Sequence, residues 1–175
     1  EICLLGQNVN SYRSEGTDFV QLLRELNELE GLKRIRFTSP HPKDFNEKLA
    51  GAMHDLIKVC EQLHLPLQSG SNRILKRMRR WYTVEAYLEK VDLFRKRMPD
   101  GTISTDLIVG FPGESEQDFA QTLKMLEEVR YDQIYAFKYS VRPGTRAAEY
   151  ADQLDEEVKS ERLATLLEVH EGILK

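Results

Sequence analysis

The chain has 175 residues, of which 41% are hydrophobic and 31% charged, enough for a sizeable core and unlike a disordered or low-complexity protein. A net charge of -4 and a pI near 5.7 exclude a generally basic nucleic-acid coat, so contact with a polyanion has to come from local patches. Cys3 and Cys60 lie far apart in no metal-ligand or disulfide-framework spacing, no apolar run approaches the roughly 20 residues that span a bilayer, and no secretory pattern opens the chain. These features lead us to expect a reducing, cytoplasmic setting.

The chain opens on Glu1 and enters at once an apolar run at residues 2–5, read as a strand without a lead-in and therefore as the start of a fragment of something longer. Phe19, Leu22, Leu23, Leu26 and Leu29 follow at helical spacing behind Thr17 and Asp18, both good N-caps. A second strand is expected at 35–38, then a helical stripe of Leu49, Met53, Leu56 and Ile57 behind Asn46. The third strand, 63–67, leads into a short helix with Ile74, Leu75 and Met78 turned inward. A longer helix carries Val84, Tyr87, Leu88, Val91, Phe94 and Met98 and stops at Pro99. A fourth strand at 103–109 precedes a helix with Phe119, Leu123, Leu126 and Val129 behind a capping-box-like Ser115 and Asp118. The fifth strand, 134–139, precedes a last helix from about Asp155 to the end, with Val158, Leu163, Leu166, Leu167 and Ile173 as its apolar residues.

Strands about thirty residues apart, alternating with amphipathic helices, imply parallel β/α units. A closed barrel needs eight units and about 250 residues, and no Gly-rich dinucleotide or P-loop turn is present. The expected fold is α/β, a partial (β/α) TIM-like barrel of about five parallel units that lacks its first strand unit.

In such folds ligands sit beyond the carboxyl ends of the strands. Those tips read GQNVN, TSPHP, QSGS, GFPGES and YSVRPGT, all rich in polar residues, Gly and Pro. Any one of them is adequately explained as a turn, whereas five on one rim suggest a binding site. Asp106 lies inside an apolar strand, where an ionised carboxylate needs a partner, so it is either a satisfied structural residue or a ligand contact. His41 alone among four histidines falls on a tip. The segment holding Lys76, Arg77, Arg79 and Arg80 adjoins a tip, and Trp81 and Tyr82 beside it either stack on a base or pack into the core. Glu114 reads as a charge at a helix N-terminus.

LLGQNVNSY, RFTSPHPKDF, LHLPLQSGSNRILKRMRRWYT, STDLIVGFPGES and FKYSVRPGT, in this order, closely resemble the radical-SAM core of the tRNA methylthiotransferases over nearly the whole chain. LPLQSGS and GFPGE mark the wider superfamily. GQNVNSY and FTSPHPKDF look like the branch acting on N6-isopentenyladenosine next to the anticodon. The resemblance implies that residues 1–175 form a partial radical-SAM core. A methylthiotransferase domain before it and a TRAM domain after it are expected to be missing here. It implies a full-length, monomeric enzyme that uses S-adenosylmethionine and 4Fe-4S clusters to add a methylthio group to C2 of that adenosine in tRNA. The cluster cysteines are expected outside this chain, which alone should be inactive and bind S-adenosylmethionine weakly, with neither Cys3 nor Cys60 as a ligand.

On the same resemblance, Gln7, Asn8, Ser39, Gln68, Ser69, Thr105 and Asp106 are the polar contacts expected for S-adenosylmethionine, with Tyr139, Val141 and Phe137 as part of an apolar wall. Lys76, Arg77, Arg79 and Arg80 are expected to face the tRNA, Arg80 having the cofactor carboxylate as its other candidate partner. Two readings stand beside this one: a barrel enzyme binding a phosphorylated metabolite at GFPGES, and a non-catalytic RNA-binding barrel.

Overall fold

The structure is a computed structural model that describes residues 1–38 and 40–175. The chain forms two compact units, one of residues Glu1–Pro66 and Ala86–Ser104, the other of Leu67–Glu85 and Thr105–Lys175.

In the first unit, β1 (Ile2–Leu4) and β4 (Ile35–Phe37) pair in parallel with Ile2 opposite Ile35 and Leu4 opposite Phe37. Between them the chain makes a short antiparallel hairpin of β2 (Arg13–Ser14) and β3 (Thr17–Asp18), which the periodicity did not signal, because two-residue strands carry no alternation. Helix α1 (Phe19–Glu28) starts at a capping box in which Asp18 accepts the Gln21 N–H and Gln21 returns the bond, as the Thr17 and Asp18 pattern anticipated. Helix α2 (Glu47–Asp55) is capped by Asn46. It ends before Ile57, which is 90% exposed and so lies outside the stripe expected for it. Strand β5 (Gln62–His64) runs parallel to the start of β6 (Thr102–Val109), with Leu63 opposite Ile103. Helix α4 (Val84–Arg97) ends just before Pro99, as Pro requires, and sends Tyr87, Val91 and Phe94 into this unit's core. The Tyr87 hydroxyl donates to the Leu65 carbonyl at 2.8 Å, which pairs the one polar atom of a fully buried ring.

In the second unit the chain continues past β5 through Leu67, adds the six-residue helix α3 (Asn72–Arg77) and resumes along the later residues of β6. Helix α5 (Glu116–Val129) begins at a capping box of Ser115 and Asp118, and its Phe119, Met125, Leu126 and Val129 are buried. Strand β7 (Gln133–Lys138) is the sheet neighbour of β6, and the Tyr139 N–H donates to the Val109 carbonyl at 2.8 Å.

Helix α6 (Glu156–Leu174) departs from its hydrophobic pattern. The buried residues are Lys159, Arg162, Leu166 and His170, while Leu167 is exposed. Charged side chains can occupy the inner stripe because each has a partner. Arg162 pairs with Glu114 at 2.7 Å and with Glu116, Lys159 lies 3.8 Å from Glu156, and His170 Nε2 meets the Tyr131 carbonyl at 2.9 Å.

Candidate functional site

The tip after β5 is a knot of satisfied polar groups. Gln68 extends the parallel pairing by donating to the Asp106 carbonyl at 2.8 Å and accepting from the Ile108 N–H at 2.9 Å, and its φ of 71° puts a non-glycine residue in the left-handed region. Its side-chain amide makes no hydrogen bond among the described residues. Ser69 is fully buried and its Oγ accepts the Ser71 N–H at 3.2 Å, while Thr105 Oγ1 accepts the Leu67 N–H at 2.9 Å. The Gly70 N–H donates to Thr122 Oγ1 at 2.9 Å, and a Cβ on Gly70 would lie 2.5 Å from the Gln121 carbonyl oxygen, so the backbone approaches α5 as only glycine allows. Ser71 caps α3 and donates to Asp118 at 2.6 Å. Burial pushes the Asp118 carboxyl up, but hydrogen bonds from Arg73, Ser115 and Ser71 outweigh it and hold the group well below the usual carboxylate range.

The turn after β6 is closed in the same way. Gly110 and Gly113 have φ of 71° and 75°, and a Cβ on Gly110 would meet the Lys159 side chain at 2.4 Å. Glu114 stands near the helix N-terminus as expected, but it is not solvated there. It is buried ahead of the N-cap, where its Oε2 accepts the Gly110 N–H and an Arg162 N–H, each at 2.7 Å, and its Oε1 has no partner. Burial pushes its carboxyl up, against the opposing effect of those two donors. The Gly110 N–H is thereby unavailable to a phosphate.

The tip after β7 is open. A cavity of about 550 Å³ is lined by Ile108, Phe137, Tyr139 and Ala147 together with Arg80, Lys138, Ser140, Arg142 and Thr145. Its volume suits a small-molecule ligand. The Tyr139 ring stands edge-on to Phe111 at 5.1 Å, with Lys159 Nζ 5.7 Å from its centroid, and its hydroxyl is buried without a hydrogen-bond partner. Such an atom is costly to leave unsatisfied. Phe137, 54% exposed, belongs to the cavity wall rather than to the core, whereas Val141 is exposed and does not line it.

The basic segment is divided in use. Arg77 pairs with Asp152 at 2.8 Å and stacks 4.6 Å over the Tyr150 ring, and Arg73 holds Asp118. Lys76, Arg79 and Arg80 are exposed and have no carboxylate partner among the described residues, and Arg80 reaches the cavity. The Tyr82 hydroxyl donates to the Leu67 carbonyl at 3.1 Å, and burial raises its pKa to about 12. Asp106 is half-buried and adds to that rise electrostatically. Trp81, by contrast, is 89% exposed.

In the first unit the two more discriminating motifs interlock. Asn10 donates to the His41 carbonyl at 3.1 Å and accepts the His41 N–H at 2.8 Å, while Ser11 donates to Asp44 at 2.5 Å. A polar cavity of about 400 Å³ lies against them, with Arg13, Lys43 and Lys48 in its wall. Gln7 and Asn8 are exposed outside that lining, and Ser39 lies outside the described residues. Sequence reasoning missed the Asn10 clamp and the Arg73–Asp118 pair. Their partners stand 31 and 45 positions away, beyond any local pattern; only the Ser115 and Asp118 capping spacing was a signal.

Parallel strands that alternate with helices and end in polar tips define an α/β protein, a class whose ligand sites lie at strand ends. A profile of the Radical SAM superfamily matches residues 1–126, and the chain belongs to that superfamily. Among curated proteins it is 56% identical to the tRNA-2-methylthio-N(6)-dimethylallyladenosine synthase of a Thermoanaerobacter species over 99% of this chain. It is 54% identical to the protein of the same name from Acetivibrio thermocellus over 100% of this chain. The chain spans 37% of the length of each of these relatives. Among solved structures, archaeal Elp3 from Methanocaldococcus infernus superposes with a TM-score of 0.68 at 19% identity, covering 94% of this chain and 43% of that one. Coproporphyrinogen III oxidase from Escherichia coli, a radical SAM enzyme, gives 0.62 at 20% identity, covering 85% and 36%. The fold is therefore that of the radical-SAM TIM-like barrel enzymes, present in part.

The two prosthetic needs of that superfamily fare differently here. Cys3 is exposed on β1, Cys60 is half-buried, and among the described residues no group of three or more His, Cys, Asp or Glu can hold a metal ion. The donor set of this chain does not fit an iron-sulfur cluster, which takes several thiolates. The lining of the open cavity fits S-adenosylmethionine in its chemistry: Phe137, Ile108 and Tyr139 suit an adenine, and Arg80 suits a carboxylate. No helix is long and apolar enough to cross a membrane among the described residues.

Proposed function

We propose that this chain is the central part of a tRNA methylthiotransferase that uses S-adenosylmethionine to add a methylthio group to C2 of N6-isopentenyladenosine next to the anticodon. The observation that carries this reading is the mostly apolar cavity at the β7 tip, lined by Tyr139, Phe137 and Ile108 together with Arg80. The names of the relatives, at more than half identity across the chain, supply the reaction. In this reading S-adenosylmethionine provides the radical and methyl chemistry when bound with clusters whose ligands lie outside these residues.

The residues of the chain bind and orient. Tyr139 supports the adenine side, and Gln68, held in a left-handed conformation with a free amide, and Asp106 supply polar contacts. Ser69 and Thr105 act by fixing the backbone of that wall, since their hydroxyls are committed to N–H groups. Gln7, Asn8 and Ser39 remain contacts proposed from the first unit. Lys76, Arg79 and Arg80 offer positive charge to the tRNA, and Arg77 contributes by holding the loop through Asp152. The setting is cytoplasmic and the working state a monomer. The phosphate-binding alternative at GFPGES loses support because Glu114 occupies the Gly110 N–H.

The test is a segment exchange. The matching stretch of the Thermoanaerobacter protein is replaced by residues 1–175 of this chain, and bulk tRNA from a strain lacking the activity is analysed by mass spectrometry. The exchanged protein should restore 2-methylthio-N6-dimethylallyladenosine, and the same exchange carrying Tyr139→Ala should lose at least tenfold of it. An exchanged protein that cleaves S-adenosylmethionine yet leaves the nucleoside unmodified refutes the reading.

A further inference from the structure

Residues 71–84 contain five Lys or Arg and no carboxylate, within a chain whose net charge is -4. Asp118 and Asp152 take Arg73 and Arg77, which leaves Lys76, Arg79 and Arg80 exposed and unpaired. Arg79 sits in the left-handed region at φ 58°, where its N–H donates to the Lys76 carbonyl at 3.1 Å and the Arg80 N–H donates to the Leu75 carbonyl at 2.9 Å. A non-glycine residue held there records a turn that is kept against its conformational cost. That turn ends α3 and delivers two dissimilar aromatic neighbours: Tyr82, anchored through its hydroxyl to Leu67, and Trp81, whose indole is 89% exposed. Arg80, the residue before Trp81, already lines the cavity, so the bare indole stands one residue from its wall.

A large exposed aromatic flanked by unpaired cations is poor packing and good recognition chemistry. Single-stranded nucleic acid is bound by this combination, bases stacking on aromatic faces while cations follow the phosphates. An acidic protein surface would use the cations but gain little from a flat indole standing clear of the surface. We propose that Trp81 is the stacking platform for an unpaired base of the RNA substrate, with Lys76 and Arg79 on the neighbouring phosphates. The assignment rests on the proposed function for the identity of the RNA, but the chemistry is that of any unpaired strand.

The experiment uses the chain itself, whose single tryptophan reports directly. An unmodified oligoadenylate dodecamer, a duplex of equal phosphate number and polyglutamate are titrated separately without S-adenosylmethionine. The single strand should quench the Trp81 emission, with a log-log salt slope of about -1.4 for two phosphate contacts. By anisotropy of labelled RNA, Trp81→Ala should weaken binding about 5- to 100-fold while Trp81→Phe retains most of it. Lys76→Glu should weaken binding and flatten the salt slope. Trp81 is exposed, so neither replacement threatens folding. Absence of quenching by the single strand, equal quenching by the duplex, stronger quenching by polyglutamate, or unchanged affinity of Trp81→Ala would each overturn the proposal. Modified nucleoside from the segment exchange without Trp81 stacking sinks this inference alone, and stacking without modified nucleoside sinks the function alone.

Discussion

Two strand tips of the second unit have the same kind of composition and opposite fates. At 68–71 nearly every polar group is used inside the protein: Ser69 on Ser71, Gly70 on Thr122, and Ser71 on Asp118. At 139–145 the Tyr139 hydroxyl has no partner and Ser140, Arg142 and Thr145 line an open cavity. Residue type does not separate a scaffold tip from a ligand-facing one; the accounting of hydrogen bonds does. Apart from the Gln68 amide, the first tip spends its polar groups on the scaffold, while the second, whose Thr145 hydroxyl donates to the Arg142 carbonyl, borders the cavity with Ser140 and Arg142.

The contrast breaks most severely at Gly70. Gly70→Ala would force a Cβ within 2.7 Å of α5 backbone atoms, which cannot swing aside as a side chain end can. A loss of about 3 kcal/mol is expected, read as a lowered urea midpoint with an unchanged slope. Asp118→Asn should cost less, about 2 kcal/mol, because Arg73 is half in water and the bond from Ser115 partly buried, while that from Ser71 is fully buried. Its pH dependence has a definite sign. The folded carboxyl ionises below its ordinary 3.8, so the stabilisation is complete above that value and disappears as pH falls through the folded value. Thermal melts of the parent and variant should therefore differ by a constant amount from neutral pH to about 5 and converge only in stronger acid.

Tyr139→Phe sharpens the comparison from the other side and has the smallest effect on stability. Removing an unsatisfied buried hydroxyl should leave the melting temperature unchanged or raise it by up to about 3 °C, equivalent to about 1 kcal/mol. A clear fall in melting temperature would mean that the hydroxyl is bonded in the native protein and that the two tips are alike.

Much of the fold was legible. Helix starts at Asp18, Asn46 and Ser115 follow from side chains that bond their own neighbours, and the stop before Pro99 from a ring that cannot continue a helix. What could not be read was long-range pairing. On α6 the buried stripe is Lys159, Arg162, Leu166 and His170, displaced from the leucines by partners that stand up to 48 residues away. Likewise the basic run looked uniform in sequence, and only the positions of Asp118 and Asp152 show that Arg73 and Arg77 serve the scaffold. The polar tips were legible as a neighbourhood; the orphaned Tyr139 hydroxyl and the bare indole needed coordinates, because burial of a single atom leaves no trace in residue spacing.

The inner face of α6 also bears on how the protein is made. Glu114, the Tyr131 carbonyl and Lys138 receive their partners from Arg162, His170 and Glu156, and the Lys159 stem covers Gly110. During synthesis, the segment from Gly110 to Tyr139 emerges before α6, and until α6 follows, the buried Glu114 carboxylate lacks its Arg162 partner. Only when α6 has also emerged can that segment close, so until then it depends on water or a chaperone to satisfy the groups that α6 will later claim.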